Sequence, residues 1–261
     1  MKNFFVIGNK TSKSLSPLIF NYWFKKNNIK AKYLFVEVKK TSFEKVLSKK
    51  IQDKKTYGFN ITTPYKKNIL KFLDSKNVHA SNIGAVNCVT IGTTTKGTNT
   101  DWLGYLNSIK QHKINKRKKI LILGYGGASQ AIYYGLNLRG YKEIKVFNRS
   151  RKKINISGVN QFTKKYSLID RYLFDADLII NTTPTNPLKK NQINLVKKTT
   201  IVSDIVYKPK NTPFLNQFKE NKKIFGISML IEQAIPCFYT WFGFIPKVDD
   251  VLIKKINRKI I

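Results

Sequence analysis

Acidic residues are scarce in this chain. Asp and Glu number 14 against 49 Lys and Arg, giving a formal charge of +35 over 261 residues. Cysteine is scarcer: Cys88 and Cys237 stand far apart and form neither a metal-ligand spacing nor a disulfide framework. No metal is therefore expected, and a reducing cytoplasm is the expected compartment. Long apolar runs are missing too, since none approaches the ~20 residues of a spanning helix. The opening Met1-Lys2-Asn3-Phe4-Phe5-Val6-Ile7-Gly8 has too short an apolar stretch for a signal peptide and no small-residue cleavage site. No membrane partner is expected. Arginine is also rare. Six stand at positions 117, 139, 149, 151, 171 and 258, and the other 43 basic residues are Lys, scattered along the whole chain. Readers of base edges and phosphates favour the bidentate Arg fork, so the charge does not point to nucleic acid. With Lys, Asn, Ile, Tyr and Phe all abundant, it reads as drift from AT-rich codons. Its physical effect is a positive field that attracts anionic small molecules.

What is present is a core-forming chain, 42% hydrophobic, long enough for one large domain or two ordinary ones. Its first hundred residues alternate strand and helix patterns: strands over 4–8, 33–38 and 57–61, helices over 17–28, 42–49 and 66–73. A second series opens with a buried-type strand over 120–123, a helix over 127–139 and a strand over 143–147. Further parallel strands are expected at 178–181 and 201–204, a joining helix over 101–112, and closing helices over 228–242 and near 248–258. Such alternation predicts βαβ units and a mostly parallel sheet. The expected fold class is α/β with two lobes and a cleft between them: an N-terminal substrate lobe and a Rossmann-type lobe.

The segment Gly124-Tyr125-Gly126-Gly127-Ala128-Ser129 follows a short apolar strand and opens a helix, the context a dinucleotide loop requires. Glycines let the backbone turn tightly and approach a pyrophosphate, and the helix N-terminus offers free N–H groups. NAD-binding folds place a carboxylate about 20 residues on, for the ribose hydroxyls. Here the next strand ends in Asn148-Arg149-Ser150-Arg151-Lys152-Lys153, with no acid. Arg149, with Lys153 or Arg151, suits an extra 2′-phosphate, so the expected cofactor is NADP.

Short polar groups also cluster at element ends, where open α/β sheets bind ligands. Ser14 and Ser16 precede Pro17 at a helix start. Ser16 suits an N-cap with Pro at the first turn, but that leaves Ser14 unexplained, and two hydroxyls there also suit a carboxylate. The stretch Gly58-Phe59-Asn60-Ile61-Thr62-Thr63-Pro64-Tyr65-Lys66 leaves a strand through hydroxyls and an amine rather than through Gly, Asn or Asp. Asn87, Asn99 and Asp101 follow in short polar motifs. For Asn99, turn chemistry suffices.

Taken together, these motifs resemble the shikimate dehydrogenases nearly end to end. In family order stand Ser14-x-Ser16-Pro17, Asn60-x-Thr62-x-Pro64-x-Lys66, Gly84-Ala85-Val86-Asn87 and Asn99-Thr100-Asp101, then Gly124-x-Gly126-Gly127-Ala128 and Asn148-Arg149. Asp204-x-x-Tyr207-x-Pro209 and Met229-Leu230-x-x-Gln233-Ala234 complete the series. The resemblance implies NADPH-linked reduction of 3-dehydroshikimate to shikimate, in the chorismate branch of aromatic biosynthesis. It implies that Ser14 and Ser16 bind the substrate carboxylate, with Tyr207 nearby. Asn60, Thr62, Asn87, Asp101 and Gln233 would take ring hydroxyls, and Lys66 and Asp101 would form the catalytic pair. Gly124, Gly126, Gly127 and Ala128 would hold the pyrophosphate, Asn148, Arg149 and Lys153 the adenosine phosphate, and Met229 would lie against the nicotinamide.

That pairing makes chemical sense. Hydride arriving at a ketone carbon leaves charge on oxygen, which a positioned ammonium neutralises by delivering a proton. A carboxylate beside it keeps the amine charged and aimed. The expected substrate domain covers 1–102 and 226–261, the Rossmann domain 103–225. A homodimer is compatible with this reading. The chain departs from the family pattern at Cys88, where Thr is usual, at Tyr125 inside the glycine loop, at Glu232, and in the 182–187 loop. The stretch after Lys153 is a poor helix. The rival readings are an NAD-dependent quinate/shikimate dehydrogenase, a basic nucleic-acid-binding α/β protein, and a decayed enzyme that binds without turnover. Ser16 and Arg149 oppose the first, the scattered lysines the second, and intact Lys66 and Asp101 the third.

Overall fold

The computed structural model describes residues 1–156 and 158–260. The chain divides into two compact units, one of Met1–Thr100 with Gln233–Lys259, the other of Asp101–Glu232 with Ile260.

In the first unit the described elements are β1 (Lys2–Gly8), α1 (Ser16–Lys26), β2 (Ala31–Glu37), α2 (Phe43–Gln52), β3 (Thr56–Ile61), β4 (Ser75–Lys76), α3 (Val78–Ile83), β5 (Cys88–Ile91) and β6 (Thr95–Thr98). The sheet order is β2-β1-β3-β5-β6-β4. β1 pairs in parallel with β2 and β3, but β5 runs antiparallel to both β3 and β6. With β4 also parallel to β6, three of the five pairs are parallel, so the mostly parallel sheet expected here holds, with β5 as its antiparallel strand. The β5–β6 connection is only a short turn, in which Gly92 N–H donates to Thr94 O at 3.2 Å. A loop that short permits only antiparallel pairing. The core packs Phe5, Ile7, Phe59 and Ile61 against Phe43, Leu47, Tyr65 and Ile69. On another side, Phe4, Phe20, Trp23, Phe24 and Tyr33 meet Phe238 and Trp241, with Phe20 stacked on Tyr33 at 4.5 Å.

The second unit carries α4 (Asp101–Ile109), β7 (Ile120–Leu123), α5 (Gly127–Leu138), β8 (Ile144–Asn148), β9 (Lys164–Lys165), α6 (Asp170–Leu173), β10 (Leu178–Asn181), α7 (Lys190–Ile193), β11 (Ile201–Asp204) and β12 (Lys223–Ile224). Its order is β12-β11-β10-β7-β8-β9, and every pair is parallel. Counted from β7, this is the 3-2-1-4-5-6 order of the doubly wound dinucleotide fold, with its switch point beside β7. β7 and β10 are buried at every residue, as strands covered on both faces must be. Trp102 packs edge-on against Tyr134, which fixes α4 to α5. The chain then runs through α8 (Gly226–Phe242) and ends in α9 (Asp250–Asn257).

The helix expected over 66–73 is instead a 3-10 turn at Asn68–Phe72, because Leu70 N–H reaches back only to Lys67 O. The joining helix over 101–112 changes from α to 3-10 at Lys110.

Candidate active site

Ser14 and Ser16 stand at the start of α1. The helix has no side-chain cap: its N-cap is Leu15, and Pro17 occupies the first turn. Ser16 N–H donates to Ser14 Oγ at 3.2 Å, while Ser14 N–H donates to Thr11 O. The capping role considered for Ser16 is therefore not the one it plays.

β3 delivers the next group. Thr62 N–H donates to Ile7 O at 3.0 Å, extending the sheet contact one residue past the strand. The chain then turns through a cis Thr63–Pro64 bond. Tyr65 anchors the turn, since its buried ring stacks on Phe43 at 4.1 Å and its hydroxyl donates to Val38 O at 2.7 Å. Lys66 follows, half-buried, with its carbonyl accepting Val86 N–H at 2.8 Å. A buried tyrosine and a backbone tie thus hold the base of Lys66 on both sides.

Asn60 points inward. Its Oδ1 accepts the Tyr33 hydroxyl at 2.7 Å, and its Nδ2 donates to Asn87 O at 2.9 Å and to Cys237 Sγ at 3.1 Å. Asn87, 2% exposed, accepts Thr100 N–H at 2.8 Å and donates to Thr100 Oγ1 at 2.9 Å and Gln233 Oε1 at 3.2 Å. Asn60, Asn87 and Gln233 are thus brought into one hydrogen-bonded cluster. Asn99, between β6 and α4, donates to Ala85 O at 2.8 Å, fourteen residues upstream, so it ties two segments together where turn chemistry was expected. Thr100, Cys237, Cys88 and Tyr33 belong to the cluster although sequence reasoning passed over them. Cys237 was findable, being four residues after Gln233 and eight after Met229, so that all three share one face of α8. Burial and the Cys237 thiol push the Cys88 thiol well up, so the Cys88 sulfur stays neutral.

In the second unit Asp101 is the first residue of α4 and is buried. The glycine loop joins β7 to α5. Gly124 has φ +99°, and a side chain there would strike Thr182 Oγ1 at 2.7 Å. Gly126 caps α5 with no side-chain bond, and a Cβ on it would enter open space. Gly127 and Ala128 begin the helix, so its first N–H groups face that space without a side chain in the way. At the tip of β8, Asn148 donates to Ser150 O at 3.0 Å, and Arg149 and Lys153 are exposed. Met229 is buried on α8. Tyr207 lies after β11, in a loop shaped by Asp204, whose carboxylate accepts Thr212 Oγ1–H at 2.6 Å and Val206 N–H at 3.0 Å. Burial raises the pKa of Asp204 despite those bonds.

Over 270 residues the chain is 35% identical to the shikimate dehydrogenase (NADP(+)) of Bartonella quintana (strain Toulouse), covering 97% of this chain and 92% of that protein. The chain belongs to the shikimate dehydrogenase family. A family model described as the shikimate dehydrogenase substrate binding domain matches residues 6–89, which lie wholly in the first unit. Shikimate dehydrogenase 1 of Peptoclostridium difficile superposes with TM-score 0.83 at 30% identity, over 100% of this chain and 98% of that one. The shikimate 5-dehydrogenase of Thermus thermophilus, solved with NADP(H) and shikimate, gives TM-score 0.83 at 27% identity over the whole of both chains. The resemblance carried by the motifs and the two-unit α/β fold both hold.

Proposed function

We propose that this chain is an NADP-dependent shikimate dehydrogenase, interconverting 3-dehydroshikimate and shikimate in the chorismate branch of aromatic biosynthesis. The observation that carries the reading is its match to an NADP(+) shikimate dehydrogenase over 97% of its length, and the sequence carries both Lys66 and Asp101.

The loop fits the cofactor. A Cβ-free approach at Gly126 and the uncapped start of α5 suit a pyrophosphate. The tip of β8 presents Arg149 and Lys153 with no carboxylate, which suits a 2′-phosphate. Gly124, Gly126, Gly127 and Ala128 would hold the first, and Asn148, Arg149 and Lys153 the second, with Met229 against the nicotinamide. When bound, the reduced cofactor supplies the hydride that a ketone carbon accepts.

The chain's own residues do the rest. Ser14, Ser16 and Tyr207 receive the substrate carboxylate. Thr62, Asn87 and Gln233 face the ring hydroxyls. Asn60 would take a ring hydroxyl with them, its amide also bonding Tyr33, Asn87 and Cys237. Lys66 would give its proton to the forming alkoxide and take one back in the reverse direction, and Asp101 would accept a hydrogen bond from a ring hydroxyl. A cytoplasmic setting agrees with two free buried thiols, and no helix among the described residues is long and apolar enough to cross a membrane. A homodimer is part of the reading. Leu34 and Phe35, on opposite faces of the edge strand β2, are 46% and 51% exposed.

The test is nicotinamide reduction with shikimate or quinate, each paired with NADP or NAD. Shikimate with NADP should give the highest kcat/KM. Preference for quinate with NAD would replace this reading with its nearest rival. Absence of turnover together with salt-dependent nucleic-acid binding would replace it altogether.

A further inference from the structure

Between β8 and β9 a dinucleotide fold ordinarily inserts a helix, but residues 149–163 contain none among the described residues. Residues 150–154 and 161–163 pair as a narrow ribbon instead. Lys153 pairs antiparallel with Phe162, Ile154 N–H donates to Gln161 O at 2.8 Å, and Thr163 N–H donates to Lys152 O at 2.8 Å. Thr163, 2% exposed, closes the base, its Oγ1 accepting Lys152 N–H at 2.9 Å and donating to Ser150 O at 3.1 Å. Ser157, in the stretch read as a poor helix, lies outside the described residues. The ribbon carries exposed Arg151, Lys152 and Lys153 directly after Arg149.

A ribbon lacks the internal bonds that make a helix rigid, so its position depends on what it is tied to. One tie comes from the glycine loop. The Tyr125 hydroxyl oxygen accepts Asn155 N–H at 2.9 Å and Gln130 Nε2–H at 3.1 Å. Gln130 is buried on α5, so Tyr125 is braced from the helix that the loop opens and holds the ribbon two residues past Lys153. A small side chain at 125 could not span that distance. The loop would hold the pyrophosphate and the ribbon the 2′-phosphate of one ligand. Their separation is what selects NADP, because a charge-assisted bond to phosphate depends on distance and direction.

We propose that Tyr125 is a positioning residue for cofactor choice, locking the basic ribbon to the pyrophosphate loop so that Arg149 and Lys153 meet the 2′-phosphate. This rests on the NADP reading above. The test is Tyr125→Phe in the full chain, which removes only the hydroxyl, titrated calorimetrically with NADP and with NAD. NADP affinity should fall about five- to tenfold, the order of one hydrogen bond, and NAD affinity by less than about twofold. Trypsin should also cut faster after Arg151 and Lys152. An unchanged ratio of NADP to NAD affinity overturns the inference, whatever the cleavage rate. Tyr125→Ala supplies a second test, since tighter NADP binding in that variant would mean the ring obstructs the loop and would equally overturn it. If the wild-type chain itself binds NAD as tightly as NADP, the cofactor reading falls first and takes this inference with it. If the wild type discriminates and Tyr125→Phe discriminates equally, only the inference falls.

Discussion

Asn87 and Thr100 hold each other through both atoms of the carboxamide, its oxygen accepting the Thr100 N–H at 2.8 Å while its Nδ2 donates to Thr100 Oγ1 at 2.9 Å. Thr100 immediately precedes Asp101, so this reciprocal pair fixes the backbone from which the carboxylate departs. Asn87→Ala strands the buried Thr100 N–H and empties a buried site, while the Thr100 hydroxyl keeps Cys237 Sγ at 3.1 Å, at a cost of about 2–4 kcal/mol. Thr100→Val keeps the N–H bond and should cost only about 1 kcal/mol. Urea denaturation of both variants checks the order. Equal losses would mean that the backbone bond is not the principal tie.

Lys66 is singled out among 43 lysines by its place after β3. Lys66→Ala should lower kcat by a factor of about 10²–10⁴, the range for a lost general acid–base group, with a smaller effect on KM. Steady-state kinetics with shikimate and NADP decide it. A change confined to KM would make Lys66 a substrate-positioning group that handles no proton.

Arg149 occupies the place where an NAD-binding fold would carry an acid. Arg149→Ala should raise KM for NADP about 10- to 100-fold, as expected for a bond to a charged phosphate, and leave KM for NAD nearly unchanged. Parallel weakening with both cofactors would show instead that Arg149 contacts the part they share.

Much of this was legible in the sequence. The strands at 120–123 and 178–181 show as near-continuous apolar runs, because a parallel sheet covered on both faces has no polar side to alternate. The glycine loop declares itself through its strand–turn–helix context. Less legible was the hairpin of β5 and β6, whose Thr90, Thr95, Lys96 and Gly97 look like a polar loop. Its residues are ordered by β3, a partner nearly thirty positions upstream, and no local pattern carries that pairing. Cys88 and Cys237 make the same point. Spacing rules see two unrelated thiols, while the sheet and α8 fold them into contact. The turn at 66–73 misled because its apolar residues recur at helical intervals. Burial of Tyr65 and Ile69 is what the interval reports, and a 3-10 turn achieves it too.

Alkaline pH offers a test of packing independent of catalysis. Burial raises the phenol pKa of Tyr105, Tyr133, Tyr141 and Tyr65, and that of Tyr166 to about 12. A free tyrosine titrates near 10. The fold therefore favours the protonated form. Its contribution is complete below about pH 10 and is lost as pH rises through the folded-state values toward 12. Lysines lose their charge in the same interval, which relieves repulsion in this basic chain and works the other way. The phenols should prevail, because burial outweighs what neighbouring charge returns: even at Tyr166, where Arg149 favours the phenolate, the net shift is upward. The exposed lysines, by contrast, are already screened by salt. The absorbance of the buried tyrosinates should then rise in one steep step together with loss of far-ultraviolet circular dichroism, between about pH 11 and 12. Tyr166→Phe, lacking one of these buried titrations, should move that step to higher pH. A gradual phenolate titration centred near pH 10 with secondary structure intact would show that these rings are wetter than their packing implies.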